Sequence, residues 1–155
     1  MSEDFISSDR GLSGAQRELL RSFAGAVIPA SVEYGIPGAD DEAIAADIVE
    51  SATGSAAEVV ASLAALDALA SDDGGAGFLA LDPDARLAVA EAFRSADREF
   101  AAPLLALVAQ CYYRDERVMT SLGMEPRPPY PDGFEVEQGD WSLLDPVRRR
   151  ERLYR

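Results

Sequence analysis

The chain has 155 residues, 28 acidic against 14 basic, for a formal charge of -14; every basic residue is Arg, and Lys, His and Asn are absent. The missing types exclude His-assisted nucleophiles, His metal ligands, Lys Schiff bases and a phosphate-loop lysine. The charge disfavours nucleic acid and an anionic membrane as partners, leaving a soluble acidic protein or an enzyme built on carboxylates.

The elements read as helices throughout. Ser13 with Gln16 three residues later forms a capping-box pattern, and Leu19, Leu20, Phe23 and Val27 mark one apolar face of a first helix that Pro29 ends. Residues 29–38 hold two prolines, Tyr34 and Gly35 and predict a structured turn, after which Asp40 or Asp41 caps a second helix that stops near Gly54. Ser55 and Glu58 repeat the capping box for a third helix, with Val59, Leu63 and Leu66 facing inward and an end by Asp72. Asp82 and Pro83 then place an N-cap beside a first-turn proline, opening a fourth helix with Leu87, Ala90 and Phe93 or Arg94 on its spacing. Residues 100–113 read as the most buried helix, with almost no polar face and Pro103 in the first turn. A short last helix begins at Asp115 and ends at Gly123.

From Met124 the composition changes. Pro126, Pro128, Pro129 and Pro131 favour an extended chain, and helix is expected to stop there. Tyr130, Phe134, Trp141, Leu143, Leu144, Leu153 and Tyr154 carry too much apolar area for a simple linker, so the tail must dock, on its own helical body or on another polypeptide. Arg148, Arg149, Arg150, Arg152 and Arg155 add a basic end whose forks suit carboxylates or carbonyls, or pair loosely with the acidic body.

The candidate chemical sites have plainer readings. Gly75, Gly77 and Ala80 match a permissive dinucleotide pattern, but a helix precedes them and Asp72 and Asp73 would repel pyrophosphate, so an interhelical loop fits better. The clusters at residues 40–42 and 72–73 lack the spacing of a calcium loop and read as helix caps. Cys111, the sole cysteine, has no disulfide partner and reads as a small buried apolar residue. The first twelve residues show no secretory signal or twin arginine, and charges interrupt every apolar run, so a cytoplasmic protein without a membrane span is expected.

One set of residues does carry a family likeness. Val27, Ile28 and Pro29, then Ile36, Pro37, Gly38 and Ala39, resemble the opening of the small subunit of gluconate 2-dehydrogenase. Phe78 and Leu79, the helix over residues 100–113, Ser121 to Gly123, and Tyr130 to Gly133 before Trp141 and Arg148 resemble its closing pattern, so the likeness spans residues 19–150. It implies a non-catalytic small or gamma subunit that binds and stabilises a large flavoprotein of the glucose-methanol-choline family. That partner holds FAD and oxidises a sugar, sugar acid or polyol. Family members often begin with a twin-arginine export signal, which this sequence does not show.

The expectation is therefore an all-α bundle of about five or six helices over residues 1–123, with an extended partner-docking tail over residues 124–155. It is expected to have no catalytic, cofactor-binding or metal site of its own, the FAD belonging to the partner. Tyr113, Leu122, Tyr130, Pro131, Phe134, Trp141, Arg148, Arg149 and Arg150 are the expected interface. A transient helical chaperone that leaves the mature enzyme is the alternative, and an independent carboxylate enzyme is a third reading.

Overall fold

A computed structural model describes residues 11–71, 76–96, 98–127, 131, 133 and 139–150. Helix α1, Gly14–Val27, starts where the sequence places it: the Ser13 hydroxyl accepts the Gln16 N–H at 3.3 Å, and the Gln16 side chain accepts the Ser13 N–H at 2.8 Å. Both otherwise unpaired donors are thereby satisfied. Helix α2, Glu42–Ala52, is capped by Asp41, whose carboxylate accepts the Ala43 N–H at 3.1 Å.

The boundary between the second and third helices differs from the sequence expectation. A 3-10 turn over Thr53–Ser55 joins α2 directly to α3, Ala56–Ser71, and the flanking Thr53 and Ala56 keep right-handed helical dihedrals. Gly54 is not among the positive-φ glycines, so it does not turn the chain out of the helix, and Ser55 lies inside the 3-10 turn instead of capping a new start. The resulting run Glu42–Ser71 is long and apolar enough to cross a membrane by length and composition alone. The sequence reading expected no such run because charged residues interrupt its apolar stretches, and it also ended the second helix near Gly54. Here Val59, Leu63 and Leu66 of this run lie in the core.

Helix α4, Pro83–Ala96, opens on the Asp82 cap, whose carboxylate accepts the Ala85 N–H at 2.9 Å. Helix α5, Arg98–Arg114, starts earlier than expected, which puts Pro103 beyond the first turn, where it leaves the Glu99 carbonyl without its usual helical donor. Nor is α5 buried all round. Leu104, Val108, Cys111 and Tyr112 face inward, while Ala102, Pro103, Ala106, Gln110 and Tyr113 form an exposed strip; small residues gave the sequence an apolar look without requiring burial. Helix α6, Glu116–Ser121, ends in a Schellman arrangement, with Gly123 at φ 73° and the Met124 N–H donating to the Met119 carbonyl at 2.9 Å.

The core is assembled by α1 to α5, with Ile44 and Ile48 from α2, around three fully buried phenylalanines. Phe23 of α1 sits 6.2 Å from Phe93 of α4, edge to face, and 6.3 Å from Phe78 in the 3-10 turn Phe78–Ala80. Asp67 of α3 pins that turn by accepting the Phe78 N–H at 2.8 Å. Gly77, just before it, supplies the φ of 87° that lets Phe78 enter the core. Each buried Phe contributes about 1.5–3 kcal/mol by removal from water.

The tail also departs from expectation, because helix resumes after the prolines. Trp141–Leu144 is a 3-10 turn capped by Asp140 and runs into α7, Asp145–Arg148, with Pro146 in its first turn. No residue of residues 139–150 joins the buried core.

Candidate partner-docking surface

The charged side chains with resolved partners act mainly as clamps. Arg114 on α5 forms a two-pronged ion pair with Asp47 on α2, Nε meeting Oδ2 at 2.7 Å, and also donates to the Ser51 hydroxyl at 2.7 Å. Arg117 on α6 bridges Asp41, at 2.7 Å, and Asp115, at 3.0 Å. These guanidinium hydrogen bonds lower the pKa values of Asp41, Asp47 and Asp115, so the carboxylates stay ionised and fixed. Beside the first clamp, burial raises the pKa of Cys111, which favours the unreactive thiol. Among the described residues no group of three or more His, Cys, Asp or Glu side chains is arranged to hold a metal ion.

The expected interface residues separate into two places. Tyr113 lies in the last turn of α5 and Leu122 follows α6, each 56% exposed, while Trp141 and Arg148 to Arg150 lie on the C-terminal helical unit and are exposed. Pro131 is exposed too; Tyr130 and Phe134 lie outside the described residues. Within the C-terminal unit Trp141, Leu143 and Val147 all display most of their surface, and Arg148 pairs with Asp145 at 3.6 Å.

Sequence reasoning missed the most exposed large apolar residues of the body. The turn between α1 and α2 is a miniature hairpin: Ser31 and Ile36 exchange backbone hydrogen bonds of 3.0 and 3.1 Å, and Gly35 turns the chain at φ 64°. Its tip carries Val32, 99% exposed, and Tyr34, 70% exposed. Its base is fastened from three directions: the Ala39 N–H donates to the Ile28 carbonyl at 2.8 Å, Arg21 to the Asp40 carbonyl at 2.9 Å, and the Tyr112 hydroxyl to the Pro37 carbonyl at 3.0 Å. Tyr113 lies against Tyr112 edge to face at 5.2 Å, linking an expected interface residue to this same end of the bundle. The Pro29 and Pro37 signals predicted a structured turn; what hid its role was that nothing in the spacing says which turn residues point outward.

The grooves are open and shallow in chemistry. One of about 510 Å³ runs between α1 and α2, and one of about 490 Å³ lies between α3 and α5 beside Phe100 and Pro103, with no convergent set of catalytic groups.

An all-α bundle that ties Arg114 and Arg117 into ion pairs, and that displays Val32, Tyr34 and Tyr113 on its body and Trp141, Leu143 and Val147 on a C-terminal unit, belongs to the class of small helical proteins suited to sit within an assembly. Over residues 14–127 the chain matches the family model described as gluconate 2-dehydrogenase subunit 3. The protein belongs to that family, a subunit of an oxidoreductase complex. The match takes in the hairpin and all of α1 to α6, and stops before Tyr130, Trp141 and Arg148. Comparison with curated proteins and with solved structures gave no match.

Proposed function

We propose that this chain is a non-catalytic small subunit that binds and stabilises a large FAD-dependent dehydrogenase or oxidase of the glucose-methanol-choline family, acting on a sugar, sugar acid or polyol. The observation that carries the proposal is the display of large apolar side chains, Val32, Tyr34, Tyr113, Leu122, Trp141 and Leu143, by a protein of a family named for one subunit of a dehydrogenase. Such side chains are costly to leave in water and are the usual anchors of protein interfaces. The role is mechanical: the helical body offers one end, the C-terminal unit adds Trp141 and the Arg148 to Arg150 forks, and FAD, substrate and electron transfer belong to the partner.

Producing the large flavoprotein with and without this chain tests the proposal. Soluble, FAD-loaded large subunit is expected only when the chain is present; equal yield and thermal stability without it would overturn the stabilising role. At residue level, Trp141→Ala is expected to weaken the pair by about 2 kcal/mol, roughly thirty-fold in Kd, by titration calorimetry. An unchanged Kd would remove Trp141 from the interface.

A further inference from the structure

The hairpin over residues 31–36 displays large apolar side chains that the fold itself does not use. Val32 and Tyr34 contribute almost nothing to the fold, since 99% and 70% of their surface faces solvent. The chain nevertheless holds their platform rigidly, by the Ser31–Ile36 bridge, the Ile28–Ala39 bond and the Tyr112 and Arg21 hydrogen bonds. Two glycines allow the close approach beneath it. A Cβ on Gly25 would lie 2.8 Å from the Asp40 side chain, and one on Gly38 would lie 2.8 Å from the Ala30 backbone nitrogen. Apolar anchors on a pre-ordered backbone lose little entropy when they bind, which is the property of an interface hot spot.

We infer that this hairpin is a docking tip that inserts Val32 and Tyr34 into an apolar recess of the large dehydrogenase subunit, with Glu33 between them meeting a basic rim. The inference rests on the small-subunit reading and locates its contact on the helical body. Charge selects the occupant. Glu33 is exposed at the tip of a chain of net charge -14, so a second copy or a polyanion would meet like charge, whereas a partner surface with arginines or lysines around an apolar hollow is complementary.

The test uses the full chain co-produced with the large flavoprotein subunit, comparing wild type, the double variant V32A/Y34A and E33K. Circular dichroism should show both variants folded with an unchanged melting temperature, because neither alters a buried contact. The double variant is expected to raise the Kd at least about thirty-fold. E33K should weaken binding and flatten its dependence on salt. Amide exchange over residues 31–36 should slow in the wild-type complex. If wild type does not bind the flavoprotein at all, the small-subunit reading fails and this inference with it. If wild type binds and V32A/Y34A binds equally well, the reading stands and the docking tip is refuted. If the free wild-type chain dimerises and the double variant does not, the occupant is a second copy and the inference is overturned.

Discussion

Gly38→Ala is the most discriminating change to the hairpin platform. The glycine has no positive φ, so the backbone itself tolerates a side chain and the obstacle is space. A methyl group there would lie 2.5 Å from Asp40 Oδ1, 2.8 Å from the Ala30 nitrogen and 3.2 Å from the Ile28 carbonyl oxygen. The Asp40 side chain can swing aside, but the two backbone atoms belong to the base of the hairpin and cannot move without disturbing the Ile28–Ala39 bond. Overpacking against such atoms costs about 2–3 kcal/mol, and the reduced freedom of the unfolded chain returns about 0.5–1 kcal/mol. The net loss is therefore about 1–2.5 kcal/mol, which for a domain of this size lowers Tm by roughly 2–10 °C. Thermal unfolding followed at 222 nm measures it, with amide exchange at Ser31 and Ile36 expected to quicken. Gly14→Ala is the control: nothing lies within 4 Å of its added Cβ, so it should leave Tm unchanged or slightly raised. A Gly38→Ala protein as stable as wild type would refute the close-approach argument.

Two further outcomes follow from the helix joint and the ionic clamps. Gly54→Ala meets nothing within 4 Å and sits within a continuous helical run, so it should stabilise the protein by about 0.5–1 kcal/mol in urea unfolding. A loss of stability would show instead that Gly54 ends a helix. For the clamps, Asp41, Asp47 and Asp115 have folded-state pKa values below the ordinary carboxylate value of 3.8. Their contribution is thus present above about pH 4 and is lost as pH falls through the lowered folded values. Arg114→Gln removes the main cause for Asp47, so its urea midpoint should fall less than that of wild type between pH 5 and pH 2; parallel curves would show that this exposed pair adds no stability.

The sequence made the helices legible where local chemistry acts alone. Ser13 with Gln16, Asp41, Asp82 before Pro83, and Gly123 each mark a terminus through their own side chain or backbone freedom, and each does so in the structure. The reading failed where tertiary context chose between two local options. Gly54 could end a helix or be carried through it, and the packing of α2 and α3 against the same core carries it through. Asp145 before Pro146 repeats in sequence the pair that located α4, but here Asp145 is the first helical residue behind Leu144, and the prolines at 126–131 led the reading to expect an extended chain over the short α7. For the surface, the sequence reading named Tyr113, Leu122 and Trp141 as interface anchors from composition and family likeness while taking the helix that holds Tyr113 as almost wholly buried; the structure exposes all three side chains. Val32 and Tyr34 could not be separated from core residues, because a six-residue hairpin has no helical periodicity to assign an outward face.

The most direct test of the central claim is to co-produce the tagged chain with its large flavoprotein and follow the pair through gel filtration by absorbance. The account predicts a yellow complex containing both chains in a fixed ratio, with the flavin band eluting alongside them. A chain that elutes alone, colourless and folded, while the flavoprotein remains loaded and active without it, would contradict the obligate-subunit account and leave a transient helper as the better description.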